Sequence, residues 1–75
     1  MTRRGAREVA DLLGVPLLRS DPEARVAPFY VSAVDYGGRL RNRATGQSVD
    51  FLRPDDRHLA ALRETLARWR SAAPR

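Results

Sequence analysis

The sequence predicts a single small α+β domain over residues 1–75, with elements in the order α-β-β-β-α. Apolar residues recur at helical spacing near both ends of the chain. Between these segments, β-forming residues alternate over 27–36, 39–43 and 48–52, with glycine-containing breaks between the strands. The expected packing is a three-stranded antiparallel meander within residues 27–52, with two helices packed on one face.

The first helix is predicted over residues 2–14. Thr2 is a candidate N-cap, Gly14 suits the C′ position that follows a helix, and Pro16 prevents continuation. Its apolar residues fall on one stripe, at spacings of three and four: Ala6, Val9, Ala10 and Leu13.

Residues 15–26 are open to two interpretations. Ser20-Asp21-Pro22-Glu23 has the form of a capping box with proline just inside it, which favours a short helical turn through Arg25. The two prolines and the interrupted apolar pattern are equally compatible with a loop.

Alternation along the strands assigns their side chains to two faces, if no bulge shifts the register. Gly37-Gly38 is the predicted two-residue hairpin turn, and Thr45-Gly46 is the predicted second reversal. The face toward the helices is expected to carry Phe29, Val31, Leu40, Val49 and Phe51. The opposite face is expected to carry Tyr30, Ser32, Tyr36, Arg39, Arg41 and Arg43.

The last helix is predicted over residues 55–71, with 72–75 as a frayed tail. Pro54-Asp55-Asp56 is a start signal that places negative charge at the positive end of the helix dipole. Its apolar stripe consists of Leu59, Leu62, Leu66 and Trp69. The same spacing suits a partner-facing helix, and a chain with so small a core is a candidate for homodimer formation.

Composition points toward an anionic partner. The chain has 75 residues, no cysteine, a net charge of +5 and 14 basic residues, all of them arginine. Codon bias in a GC-rich genome accounts for the missing lysine, but the positive balance favours a nucleic acid or an acidic protein surface. No apolar run or leader pattern indicates a membrane span or secretion, so the sequence predicts a cytoplasmic protein of bacterial or phage origin.

The opposite sheet face is the candidate binding site. Arginines at alternate strand positions lie about 6.6 Å apart, which is close to the spacing of phosphates along one nucleic-acid strand. Arg39, Arg41 and Arg43 are therefore predicted phosphate contacts, and Tyr30 and Tyr36 are predicted to stack on bases. A second basic edge is expected at Arg3, Arg4 and Arg7. An ordinary solvated hairpin explains the same pattern.

Three resemblances accompany this prediction. Glu8-Val9-Ala10-Asp11-Leu12-Leu13-Gly14-Val15 resembles the first helix and turn of helix-turn-helix proteins, which implies a recognition helix directly after it and a wing over residues 39–52. The α-β-β-β-α order is similar to that of double-stranded-RNA-binding domains, although Asp55 and Asp56 replace their basic cluster at the last helix. The topology is also similar to the arm-binding domains of some phage integrases.

No enzyme signature competes with binding. His58 has no evident nucleophile or second catalyst, and no metal-ligand spacing is present, so no cofactor or metal is expected. The sequence therefore predicts a small non-enzymatic protein that binds nucleic acid. The alternative is a protein-binding module, such as an inhibitor, antitoxin or accessory subunit, that uses the same basic face. A small ribonuclease dependent on His58 is a third class.

Overall fold

The predicted order of elements is confirmed. The computed structural model describes residues 5–35, 37–52 and 54–72. Strands β1, β2 and β3 form one antiparallel sheet in that spatial order. The elements are α1 (Ala6–Leu13), a 3-10 turn (Pro22–Arg25), β1 (Phe29–Val34), β2 (Gly37–Asn42), β3 (Ser48–Phe51) and α2 (Asp56–Ala72).

Helix α1 begins later than predicted. Its N-cap is Gly5, which has extended backbone angles, while the predicted cap Thr2 lies outside the described residues. The end is as predicted, because Gly14 adopts the left-handed conformation with φ 72°. The amides of Gly14 and Val15 donate to the carbonyls of Asp11 and Ala10, a pattern that terminates the helix and directs the chain back toward the sheet.

The segment between α1 and β1 contains no second α-helix, so the helix-turn-helix interpretation is wrong. Its one regular element is the 3-10 turn. The turn starts after Asp21, so the capping box that Ser20 would begin does not form. The Asp21 carboxylate instead accepts the Leu17 amide at 2.8 Å and the Arg7 guanidinium at 3.1 Å. This carboxylate therefore ties the segment to α1.

The same segment covers the outer edge of β1. The amide of Val31 donates to the carbonyl of Pro16 at 3.0 Å, and the amide of Leu18 donates to the carbonyl of Val31 at 2.8 Å. Leu17 pairs with Val31 as a parallel bridge and is buried. This edge of the sheet is thus closed at its centre by backbone hydrogen bonds.

The outer edge of β3 is open. The Asn42 amide donates to the Gln47 carbonyl at 2.8 Å, and this ladder continues through Val49, whose backbone faces β2. The backbone groups of Ser48 and Asp50 therefore face away from β2. No backbone hydrogen bond within residues 5–35, 37–52 and 54–72 uses them.

The first hairpin reverses earlier than the sequence predicts. Val34 pairs directly with Gly37, and Ala33 pairs with Gly38, so Gly37-Gly38 belongs to β2 and is not the turn. The glycines are needed because β3 approaches too closely for a side chain. A Cβ on Gly38 would lie 2.7 Å from the Phe51 ring, and a Cβ on Gly37 would collide with the β3 backbone.

Both helices pack on one face of the sheet, as predicted. Val31 and Leu40 are fully buried and form one cluster with apolar residues of both helices. Phe29 stacks on Trp69 with ring centroids 6.1 Å apart, which ties the end of α2 to the start of β1. The helix contribution to this core is Val9, Ala10, Leu13, Leu59, Leu62 and Leu66.

Helix α2 starts at a carboxylate cap. Asp55 Oδ1 accepts the backbone amides of Arg57 and His58 at 3.1 and 3.2 Å. The His58 Nδ1 atom accepts the Asp55 amide at 3.4 Å, so the imidazole occupies the place that glutamate takes in a capping box. These bonds, first that to the His58 amide, lower the pKa of Asp55.

The lowered pKa values of Asp55 and Asp21 indicate that the protein loses stability in acid. The Arg7 hydrogen bond, followed by that of the Leu17 amide, also lowers the pKa of Asp21. A lowered folded-state pKa contributes stability above the ordinary value of about 4 and loses it as pH falls. We expect Asp21→Asn to lower the urea midpoint at neutral pH and to approach the unmodified protein as pH falls through the lowered pKa of Asp21.

Circular dichroism across a pH series measures these midpoints. Asp35→Asn is the matched control, because it removes the same charge from a turn residue with no described hydrogen-bond or ion-pair partner. A difference between Asp21→Asn and the unmodified protein that stays constant from neutral to acid pH would contradict this linkage.

Candidate nucleic-acid interface

The sheet face opposite the helices brings most of the predicted site together. Tyr30 pairs with Arg41, and Ser32 pairs with Arg39, between β1 and β2. Ser48 and Asp50 continue the same rows on β3. No described helix packs over these residues, which we call the helix-free face: Tyr30, Ser32, Arg39, Arg41, Ser48 and Asp50.

Arg39 forms an ion pair with a carboxylate that the sequence analysis did not assign to the helix-free face. Asp50 lies directly opposite Arg39 in the register, and its Oδ1 is 2.9 Å from the Arg39 Nε atom. Both side chains are exposed, at 47% and 73%, so the ion pair is screened by water and contributes little to stability. A ligand phosphate must compete with Asp50 for this guanidinium.

Among Arg39, Arg41 and Arg43, only Arg41 has no described structural contact through its guanidinium. It lies half-buried near the end of β2, the middle strand of the sheet, between Tyr30 and Ser48. No hydrogen bond or ion pair to its guanidinium is formed by the residues the structure describes. It is therefore the best-placed cation on the helix-free face for an incoming anion.

Arg43 lies beyond the end of β2 and is committed to the fold. Its Nε atom donates to the carbonyl of Ala27 at 2.9 Å, and its Nη2 atom donates to the carbonyl of Ala24. The guanidinium also lies 4.6 Å from the centre of the Tyr30 ring. Arg43 therefore anchors the 3-10 segment and covers one face of the tyrosine, so the predicted row contains two available arginines instead of three.

The second basic edge is only partly described. Arg3 and Arg4 lie outside the described residues, as does Tyr36. Arg7 is described, and its Nη2 atom lies 2.6 Å from Asp11 Oδ1 and 3.0 Å from Asp21 Oδ2. The hydrogen bonds that this guanidinium donates to Asp21 and Asp11 raise its pKa. Arg7 thus holds α1 against the following segment with its charge balanced by two carboxylates.

Exposed apolar side chains lie at the opposite end of the sheet from Arg43. Val34 is 48% exposed at the end of β1, and Leu52 is 65% exposed just after β3. They flank a shallow depression that also contains Arg39 and Asp50. This end of the face combines charge with apolar surface.

Sequence reasoning missed the role of Asn42. Alternation places it on the helix side with Leu40, and it is 5% exposed. Its Oδ1 atom accepts the amides of Ala44 and Thr45 at 3.1 and 3.4 Å, which shapes the turn into β3. An asparagine at the start of a glycine-containing turn is a signal for this arrangement.

His58 is part of the α2 cap and lies 71% exposed. Within the described part of the chain, no group of three or more histidine, aspartate or glutamate side chains is placed to hold a metal ion. Neither described helix has the length and apolarity needed to cross a bilayer.

The fold and this face define a small basic α+β domain with one sheet surface uncovered by helices. No protein-family model matches the chain, and neither curated proteins nor solved structures give a match.

Proposed function

We propose that this protein binds nucleic acid through the helix-free face of its sheet. The observation that carries the proposal is the pairing of Arg41 with Tyr30 on that face, where Arg41 has no described partner. Arg41 supplies the main phosphate contact, and Arg39 supplies the neighbouring one after displacement of Asp50. Tyr30 adds a half-buried ring that would stack on a base or ribose through the face that Arg43 does not cover.

The net charge supports the same proposal. At +5 over 75 residues, the chain attracts polyanions before any specific contact forms. Two residues of a strand span about 6.6 Å, so Arg39 and Arg41 suit adjacent phosphates of one extended strand.

The Arg41→Ser variant tests the proposal. We expect its affinity for a labelled oligonucleotide to fall several-fold, and the slope of log affinity against log salt to decrease by about 0.7 for single strands. Fluorescence anisotropy of single-stranded DNA, RNA and duplex DNA over a salt series measures both. Arg63→Ser is the matched control, since it removes the same charge from an exposed position on α2. Equal effects of the two variants would contradict a site at Arg41.

The Asp50→Asn variant is expected to strengthen binding. It removes the carboxylate that holds Arg39 at 2.9 Å and leaves a side chain of similar size. We expect tighter binding at low salt and a steeper salt dependence, because one more cation is available to phosphate. Unchanged or weaker affinity in the same anisotropy assay would show that Arg39 takes no part.

A second candidate function is binding of an acidic protein partner. The exposed Val34 and Leu52 beside Arg39 favour it, because interfaces between proteins combine apolar anchors with charged rims. This function predicts that Leu52→Ser abolishes capture of the partner while Arg41→Ser mainly slows association. If no oligonucleotide binds even at low salt, this candidate replaces the first.

A further inference from the structure

A cavity lies on the helix side of the sheet, at the end nearest Arg41 and Arg43. Its volume is about 330 Å³, within the range of small-ligand pockets, which begins at about 300 Å³. One wall is the Trp69 indole, stacked on Phe29, and the lining residues that the structure describes carry no charge. Its other principal lining residues are Asn42, Thr45, Gln47 and Ala72.

A buried hydrogen-bond donor lines this cavity. Asn42 is 5% exposed, and its Oδ1 atom is occupied by the amides of Ala44 and Thr45. Those two bonds fix the orientation of the amide group, so Nδ2 is the atom left to donate. No acceptor for Nδ2 exists in the described parts of the chain. Buried polar groups almost always have a partner, which makes Nδ2 a place where a ligand oxygen would bind.

We propose that the Trp69 cavity binds one unpaired nucleobase through a carbonyl oxygen. The uncharged lining selects a neutral group, the indole suits a planar ring, and the Asn42 amide donates to the carbonyl. The cavity adjoins the Phe29–Asn42 pair, which is next to Tyr30–Arg41 in the register. Because Arg41 is on the other face of the sheet, a strand held there would enter the cavity by passing around the 43–47 turn. This inference rests on the proposed function and names its ligand as a single strand that places a carbonyl-bearing base in the cavity, with thymine as the probe.

Trp69 gives a direct readout, because it is the chain's only tryptophan. The experiment titrates the full chain with short oligothymidine and with an abasic strand of the same length, following Trp69 fluorescence and anisotropy together. We expect both strands to bind through their phosphates. Only oligothymidine should change Trp69 emission, and it should bind about tenfold more tightly than the abasic strand.

Two variants distinguish the role of the Asn42 Nδ2 donor in base binding from the role of Asn42 in folding. Asn42→Asp keeps the oxygen that caps the turn and replaces the donor with an acceptor, so it should abolish the Trp69 response and leave only the preference that base stacking on Tyr30 gives. Ala72→Leu fills the cavity from an exposed position at the end of α2 and should do the same without touching the turn. Circular dichroism shows whether each variant is folded. If Asn42→Asp does not fold, Ala72→Leu alone tests the cavity inference.

The outcomes distinguish this inference from the proposed function. Oligothymidine binding with unchanged Trp69 emission, equal to that of the abasic strand, would overturn the cavity inference and leave phosphate binding at Arg41 intact. Absence of binding by either strand would overturn both. A Trp69 response to oligothymidine that Ala72→Leu removes would support the base site.

Discussion

Replacement of Gly37 with alanine is expected to destabilise the protein by about 3 kcal/mol, at the upper end of the range for overpacked sites. The added methyl group would collide with the backbone carbonyl of Phe51 and lie 2.9 Å from the Leu52 Cα atom. Backbone atoms cannot move aside as a flexible side chain does, so β2 and β3 must separate locally. A domain of this size has only about 3–5 kcal/mol of stability, so the variant would keep about 0–2 kcal/mol and should be partly unfolded at room temperature.

The neighbouring Gly38→Ala change should have a smaller effect, about 1–3 kcal/mol. Its methyl group meets the Phe51 ring at 2.7 Å and the Ser32 carbonyl at 2.8 Å, and the ring can shift. Gly5→Ala is the control, because no atom lies within 4 Å of its Cβ, and it should cost less than about 1 kcal/mol. Urea denaturation followed by circular dichroism measures all three. A Gly37→Ala protein as stable as Gly5→Ala would contradict the close approach of β2 and β3.

The Arg43→Ser variant is expected to lose about 2 kcal/mol of stability. Each hydrogen bond to a charged group contributes about 1.5–3 kcal/mol when well shielded, and partial exposure reduces the sum. The change also removes the contact with the Tyr30 ring, about 0.5–1 kcal/mol. The carbonyls of Ala24 and Ala27 would lose the donor that joins them to β2.

Arg41→Ser is the matched comparison, because it makes the same substitution two residues away. With no described partner to lose, it should change stability by less than about 0.5 kcal/mol. The pair separates folding from binding, since Arg43 should affect the urea midpoint and Arg41 the salt slope of oligonucleotide binding. Equal midpoints for the two variants would contradict the anchoring role of Arg43. A variant in which Arg39, Arg41 and Arg43 are all replaced would lose stability and binding together, so the two effects could not be separated.

The order of elements and the two sheet faces could be predicted, because they depend on local signals. Leu40 and Arg41 alternate between core and surface, and the stripe of α2 follows helical spacing. The hairpin reversal could not be placed, because Gly37-Gly38 has the composition of a turn. The two glycines are present because β3 lies too close to β2 there for side chains, and β3 comes from a part of the chain that local patterns around Gly37 do not include.

The candidate site was predicted in outline but not in detail. Alternation placed Tyr30, Arg39 and Arg41 together, since it requires only regular strands. It could not show that Asp50 pairs with Arg39, which depends on the register between β2 and β3. Nor could it show that Arg43 turns toward Ala24 and Ala27, because those carbonyls belong to a segment whose conformation the sequence left open.

The unequal edges of the sheet limit how copies of this chain can assemble. The centre of the β1 edge is already bonded to residues 16–18, whereas the outward backbone groups of Ser48 and Asp50 in β3 have no backbone partner among the described residues. Strand pairing between two copies would use β3 of each and would leave the closed β1 edges outermost. In such a pairing a two-fold axis would relate the two copies, and the outermost edges would be the β1 edges, whose central residue Val31 is already bonded within its own chain.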